Sequence, residues 1–317
     1  MATPVLALKD AVIRYDRLTA VDGVSLELNR GETLGLVGES GCGKSSVARA
    51  IVGLQPLAGG TLTVEGEALA ETSAQRRIQL LFQDPVASLS PRMTVRALLA
   101  EPLKIRGVYT PEGWARVAAL ADGIGLGDQL FTRYPHQLSG GQARRVALVR
   151  ALAAEPSIIV ADEPTAGLDI SIQGELLNLL RALRDRLGLS YLLISHNLNV
   201  VGRVTDRVAV MYLGQIVESG PTAALFREPA HPYTQALLSA NLTLDPDRRR
   251  ERVVLSGELP SPGNPPSGCR FHKRCPLAQP KCASDAPALQ AATGGRSVAC
   301  HFPLAAEPAV FSQAMAG

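Results

Sequence analysis

Gly38-Glu39-Ser40-Gly41-Cys42-Gly43-Lys44-Ser45-Ser46 decides how the rest of this 317-residue chain is read. The stretch fits G-x-x-x-x-G-K-[ST], and its flanks agree with it. Residues 33–37 form an apolar run that predicts a buried strand, and Val47, Ile51 and Leu54 recur at helical spacing. A glycine-rich turn between strand and helix lets backbone N–H groups converge on phosphate oxygens, and the helix start adds its positive dipole end. Lys44 is then expected to reach the β- and γ-phosphates, and the Ser45 hydroxyl to ligate Mg²⁺. The bland alternative is a glycine turn that binds nothing; the strand and helix on either side weigh against it.

The length allows a main domain with appendages. A formal charge of +3 on 33.5 kDa is near balance and calls for neither nucleic acid nor an anionic membrane as partner. The basic run at 248–252 reads as a solvated linker. Residues 1–10 meet charge at Lys9 and lack the form of a secretory signal, and no uninterrupted apolar run reaches membrane-spanning length, so a cytoplasmic protein is expected. Of five cysteines, four crowd into the last fifty residues, which suits a metal or cluster site better than a disulfide framework.

Residues 5–37 predict strands, with Val24, Leu26 and Leu28 alternating with polar neighbours. Short strands follow at 61–65 and 78–82. From about 92 the pattern turns helical: Val95, Leu98 and Leu99, then Trp114, Val117, Leu120 and Ile124. A further helix opens at Ser139-Gly140-Gly141 and stops at Pro156. The strand at 157–161 ends in Asp162-Glu163-Pro164. A long helix carries Ile172, Leu176, Leu179, Leu183 and Leu187 to Gly188, and the strand at 191–194 ends in Ser195-His196. Alternating strands and helices predict an α/β fold with a parallel sheet, and ligands collect at the C-terminal edge of such sheets. Residues 208–217 predict a terminal hairpin. A charged, then proline-rich stretch at 241–268 predicts a linker.

Asp162, at the end of an apolar strand, is placed to order Mg²⁺, and Glu163 beside it to polarise an attacking water. Two solvated acids at a strand end are the plain alternative. Leu138-Ser139-Gly140-Gly141-Gln142 adds a second glycine-bearing helix start, and one nucleotide rarely needs two γ-phosphate sites in one chain. Cys269, Cys275 and Cys282, separated by five and six residues, with Cys300 a further seventeen on, suit either Zn²⁺ or an iron–sulfur cluster.

Taken together, Leu138-Ser139-Gly140-Gly141-Gln142 and the motifs around it resemble the ATP-binding cassette (ABC) ATPases over residues 5 to about 240. The resemblance implies a P-loop NTPase core with an antiparallel β subdomain and a helical subdomain at about 92–155, together an ATPase domain at 1–240. A linker at 241–268 and a small Cys-rich C-terminal segment at 269–317 follow. It implies that Tyr15 stacks on adenine and that Gly38, Ser40, Gly41, Cys42, Gly43, Lys44, Ser45 and Ser46 cradle the phosphates of ATP. Gln83 contacts Mg²⁺ and the water, Asp162 orders the metal, and Glu163 and His196 serve catalysis, His196 at the γ-phosphate. Asp169 lies in a loop that crosses to a second cassette. Two cassettes join head to tail, so that Ser139, Gly140, Gly141 and Gln142 of one close over ATP held by Lys44 of the other. The loop before Asp169 departs from the pattern, reading Thr165-Ala166-Gly167-Leu168 where most relatives carry Ser-Ala at 166 and 167; Gly167 is expected to loosen it.

The tail narrows the subclass. Pro265-Pro266-Ser267-Gly268-Cys269, Phe271-His272-Lys273-Arg274-Cys275-Pro276 and Val298-Ala299-Cys300-His301 resemble the C-terminal segment of oligopeptide and dipeptide importer ATPases, as does His231-Pro232-Tyr233-Thr234. That likeness implies a [4Fe–4S] cluster on Cys269, Cys275, Cys282 and Cys300. It also implies the ATP-hydrolysing subunit of an importer for peptides or similar small solutes, at the cytoplasmic face of the cell membrane. Its partners would be a second cassette, identical or paralogous, two transmembrane permease subunits and an extracellular or periplasmic solute-binding protein, with no nucleic acid. The main rival is a soluble cassette ATPase acting on DNA or ribosomes, from which a coiled-coil insert or a second cassette would be expected; neither is evident.

Overall fold

A computed structural model describes residues 4–69, 72–82, 84, 87–240, 255, 257 and 260–304. The chain opens with β1 (Leu6–Tyr15), β2 (Leu18–Leu28) and β3 (Thr33–Val37), and continues through α1 (Lys44–Ile51), β4 (Gly59–Val64), β5 (Glu67–Ala68), α2 (Thr72–Arg76) and β6 (Ile78–Leu81). Then come α3 (Val95–Ile105), α4 (Pro111–Asp122), α5 (Gly140–Leu152), β7 (Ile158–Asp162), α6 (Ile170–Leu187), β8 (Ser190–Ser195), α7 (Leu198–Val204), β9 (Arg207–Tyr212) and β10 (Gln215–Pro221). The C-terminal part adds α8 (Thr222–Arg227), α9 (Pro232–Ser239), α10 (Pro280–Ser284), β11 (Gln290–Ala292) and β12 (Arg296–Val298).

Two sheets form. The smaller, in order β2-β1-β4-β5, is antiparallel throughout. Its β2 alternates buried Val24, Leu26 and Leu28 with exposed neighbours, as one covered face requires. In the larger sheet β9, β3, β8, β7 and β6 lie side by side and parallel. Every residue of β3 and β8 is buried, which is why these strands read as unbroken apolar runs rather than alternation. The helical layer predicted from about residue 92 is α3, α4 and α5. Leu98, Leu99, Val117, Ala121, Val146 and Val149 fill its core, against Ile159 and Tyr191 of the sheet. Thr94 and Thr110 cap α3 and α4 by accepting from the N–H groups of Ala97 (3.3 Å) and Gly113 (3.1 Å). Among the described residues no helix is long and apolar enough to cross a membrane.

The C-terminal part differs from expectation. The hairpin of β9 and β10 is not the end of the sheet: β12 pairs antiparallel with β10 (Glu218 opposite Val298), and β11 pairs with β12. An open edge of unpaired N–H and C=O groups is a template for another strand, and the tail supplies one. Most of the expected linker, residues 241–254, 256, 258 and 259, lies outside the described residues. Beyond it the tail docks on the core. Phe271 is 1% exposed and stacks edge-on to Tyr212 (5.2 Å between centroids) and tilted against Tyr233 (5.4 Å), while Tyr212 and Tyr233 meet at 4.7 Å.

Because Phe271 belongs to the same core cluster as Val37 of β3, Phe271→Ala is expected to destabilise the whole unit by about 3–5 kcal/mol. Denaturant unfolding followed by the single tryptophan, Trp114 in the distant helical layer, checks this. A lowered midpoint is expected, and a midpoint unchanged from wild type would mean that the tail folds apart from the core.

Candidate nucleotide-binding site

The phosphate loop begins where β3 ends. At Gly38 it passes so close to β9 that an added Cβ would stand 2.2 Å from the Met211 carbonyl oxygen and 2.8 Å from Cys42 Sγ, so only glycine fits. The loop is tied down again where Gly214 N–H donates to the Cys42 carbonyl (2.8 Å). Cys42 is buried, and burial pushes its thiol pKa up against the opposing pull of Lys44. That is the state of an inert, space-filling thiol. Lys44, at the first position of α1, is 6% exposed and donates from Nζ to the carbonyls of Gly38 (2.8 Å) and Glu39 (3.0 Å).

Parallel pairing brings the ends of β7 and β8 beside this loop. Asp162 ends β7, and burial raises its carboxyl above the ordinary carboxylate range although the Ser45 hydroxyl hydrogen-bonds to it. Its Oδ1 is buried with no hydrogen-bond partner. An unsatisfied carboxylate oxygen beside a serine hydroxyl offers the hard oxygen donors that Mg²⁺ takes, so these residues fit that ion. Glu163 follows with φ of +51°, a left-handed backbone uncommon for a non-glycine residue, and its N–H donates to the Ile194 carbonyl (2.9 Å). Its carboxylate accepts from the His196 N–H (3.0 Å) and pairs with His196 Nδ1 (2.8 Å). Ends of β7 and β8 thus carry two residues that hold one another.

Lys44, Ser45, Ser46, Glu163 and His196 line one cleft of about 670 Å³ with Tyr15, Ser40, Gly41 and Gly43, a size suited to a small-molecule ligand. Leu18, Leu237 and Pro262 also line it. The last two come from α9 and from the stretch expected as linker, and nothing in their local sequence marks them. Gln83 lies outside the described residues.

Ser139 caps α5 through a reciprocal pair: its hydroxyl accepts from Gln142 N–H (3.2 Å), and Gln142 Oε1 accepts from Ser139 N–H (3.1 Å). Ser139, Gly140 and Gly141 are exposed, a Cβ added at either glycine would meet nothing within 4 Å, and none of the three lines the cleft around Lys44. The two glycine-bearing turns therefore stay apart within one chain. Asp169 caps α6 by accepting from Ile172 N–H (2.9 Å). In the loop before it, Gly167 has φ of +70°, and Gln173 Nε2 donates to the carbonyls of Leu168 (2.9 Å) and Thr165 (3.4 Å). Gly167 thus serves a left-handed turn inside a hydrogen-bonded loop, where slack was expected.

Cys269, Cys275, Cys282 and Cys300 line one small cavity together with His231 and Phe271. Among the described residues, however, no three His, Cys, Asp or Glu side chains stand close enough to hold a metal ion, so neither the expected cluster nor zinc is supported by ligand geometry. Burial raises the thiols of Cys269 and Cys275 above their ordinary value, and pushes that of Cys300 up to about 11. Phe271, the pairing of β12 and the ion pairs of Arg270 with Asp22 and Arg274 with Glu39 hold the tail on the core.

Residues 21–166 match the ABC transporter family, and residues 217–282 match the family described as Oligopeptide/dipeptide transporter, C-terminal region. The dipeptide transport ATP-binding protein DppF of Haemophilus influenzae is 47% identical over 299 residues, 92% of this chain and 91% of that protein. The oligopeptide transport ATP-binding protein AppF of Bacillus subtilis is 46% identical over 294 residues, 89% of each. Among solved structures, cbiO1 from Clostridium perfringens, part of the ABC transporter complex cbiONQ, superposes with a TM-score of 0.64 at 26% identity, covering 71% of this chain and 91% of that one. A phosphate loop, a strand-end carboxylate pair and a sequence aligned along almost its whole length with such proteins lead to one conclusion: the chain belongs to the ATP-binding proteins of ABC transporters, in the oligopeptide and dipeptide class.

Proposed function

We propose that this chain is the ATP-hydrolysing subunit of an ABC importer for peptides or similar small solutes, working through permease subunits in the membrane. The observation that carries the proposal is the gathering of Lys44, Ser45, Asp162, Glu163 and His196 at the C-terminal ends of three adjacent parallel strands, β3, β7 and β8. In this proposal the ATPase domain is residues 1–240, with the helical subdomain at about 92–155. A soluble ATPase acting on DNA or ribosomes is disfavoured by the match of the tail to peptide-transporter relatives.

The proposed roles follow from position. Lys44 Nζ donates to two loop carbonyls and, at 3.7 Å, to Cys42 Sγ, and would exchange that weak sulfur bond for a phosphate oxygen. Ser45 and the unpartnered Oδ1 of Asp162 would hold Mg²⁺, which when bound neutralises charge on the phosphate oxygens. Glu163 would orient the attacking water and take its proton, its carboxylate being held in place by His196. Tyr15 lies on the side of the cleft proposed for the base, and Gln83 keeps the role that the resemblance implies. Glu163→Gln is expected to retain ATP binding and lose roughly 100- to 10,000-fold in turnover. Steady-state phosphate release measures it, and a wild-type rate would remove Glu163 from the chemistry.

A second copy or a paralogue completes the site in this proposal. Ser139, Gly140, Gly141 and Gln142 present an exposed helix start with open space before it, and Ile170 beside Asp169 is 79% exposed. Both are features that a head-to-tail partner would cover. Turnover per chain is expected to rise with concentration, and Ser139→Arg to impair hydrolysis while ATP binding at Lys44 persists. A dilute monomer already turning over at the full rate of the assembled complex would contradict this. The remaining proposed partners are two permease subunits and an extracellular or periplasmic binding protein, with the chain peripheral at the cytoplasmic face of the membrane.

For the four cysteines the [4Fe–4S] proposal rests on their shared cavity and on four-thiol chemistry, not on ligand distances. Anaerobic purification is expected to give about four iron and four sulfide per chain. Stoichiometric zinc, or neither element, would end it.

A further inference from the structure

Glu39, the residue after Gly38 in the phosphate loop, is engaged at every polar group, and two of its four partners come from the far end of the chain. Its carboxylate receives two parallel bonds from Arg274, Nη1 to Oε2 at 2.6 Å and Nη2 to Oε1 at 3.0 Å. Its N–H donates to the Tyr233 hydroxyl at 2.9 Å, and its carbonyl accepts from Lys44 Nζ at 3.0 Å and from the Cys42 N–H at 3.3 Å. Tyr233 and Arg274 lie 194 and 235 residues further along the sequence. Both are firmly seated: Tyr233 is fully buried against Tyr212 and Phe271, and the Arg274 side chain is 9% exposed. Leu237 and Pro262 from the same C-terminal region line the cleft that holds Lys44.

We propose that the C-terminal region is a working part of the nucleotide site, in which Arg274 and Tyr233 act through Glu39 as positioning residues for the phosphate loop and so set its affinity for the triphosphate of ATP. Two physical effects run in the same direction. The Glu39 carbonyl, with that of Gly38, aims the Lys44 ammonium, and while the Cys42 N–H holds that carbonyl from within the loop, Tyr233 and Arg274 hold the rest of the residue from the tail. Arg274 also cancels a carboxylate at the mouth of a site built for an anion; without the guanidinium, the Glu39 charge would repel the phosphates. Planar two-point contact makes arginine the suited cation, since lysine offers charge without the fork.

The inference rests on the nucleotide-site proposal, and the test separates the two. Equilibrium binding of ATP to the full chain is measured for Arg274→Gln in two backgrounds, wild type and Glu39→Gln, with melting temperatures recorded in parallel. Arg274→Gln is expected to weaken ATP binding on the order of 10-fold in the wild-type background and less than about 2-fold where Glu39 is already Gln, because the charge to be cancelled is gone. Arg274→Lys should fall between. In the assembled transporter the loss should appear in KM for ATP more than in kcat. Equal losses in both backgrounds, or no loss in either, would overturn the proposal. Should Arg274→Gln fail to fold, Tyr233→Phe removes only the hydroxyl and keeps the aromatic packing; an unchanged melting temperature with binding several-fold weaker is expected, and unchanged binding would again overturn the proposal. Lys44→Ala is the reference: if it leaves ATP binding intact the nucleotide site itself is wrongly assigned, whereas loss of binding there with none at Arg274 or Tyr233 sinks only the role of the tail.

Discussion

Everything in this molecule depends on how closely the phosphate loop lies against strand β9. The approach of Gly38 to the Met211 carbonyl leaves no room for a side chain, and that contact fixes the loop at the C-terminal end of β3. β3 is in turn paired on both sides, with β8 and β9. Parallel register then does the remaining work: with β7 beside β8, their ends deliver Asp162, Glu163 and His196 to the same edge that carries Lys44. No long side chain is needed to bring the groups together. A lysine, two acids and a histidine converge because their strands stop at one level.

Much of this was legible in the sequence, for physical reasons that differ from part to part. Fully buried parallel strands must be continuously apolar, so 33–37, 157–161 and 191–194 announced themselves. The phosphate loop was legible because backbone N–H groups can ring an anion only with glycines at fixed spacing, and the helical layer because Leu98, Val117 and Val146 recur at helical steps. The three-residue strands β11 and β12 were not legible, since such short pieces carry no period and their pairing depends on an edge nearly eighty residues earlier. Nor could sequence alone tell that Gly167 serves a left-handed turn, because slack and turn use the same residue. The cysteine spacing pointed to a common centre, and the four thiols do line one cavity; their distances were beyond what spacing can give.

The docking of the tail was not legible for a related reason: by its own composition it has too few large apolar residues to form a core. Phe271 joins a core already built from Val37, Tyr212 and Tyr233, and Arg270 and Arg274 find carboxylates on β2 and the phosphate loop. A single aromatic anchor and paired guanidiniums suffice when the partner surface exists beforehand. The His231-Pro232-Tyr233-Thr234 motif belongs to the same arrangement. His231 is neutral, its pKa pushed down to about 3 by burial, and its Nδ1 accepts from Tyr233 N–H (3.0 Å) while Glu218 accepts from His231 N–H (2.9 Å). These bonds hold the start of α9 so that the Tyr233 hydroxyl meets Glu39.

The most direct measurement is a structure of the full chain with Mg²⁺ and a non-hydrolysable ATP analogue. The triphosphate should lie along residues 38–46 with the metal between Ser45 and Asp162 Oδ1, and the base should rest in the part of the cleft bounded by Tyr15 and Leu237. Nucleotide bound elsewhere, or a metal that leaves Asp162 Oδ1 without a partner, would contradict the assignment of this cleft as the site of ATP hydrolysis.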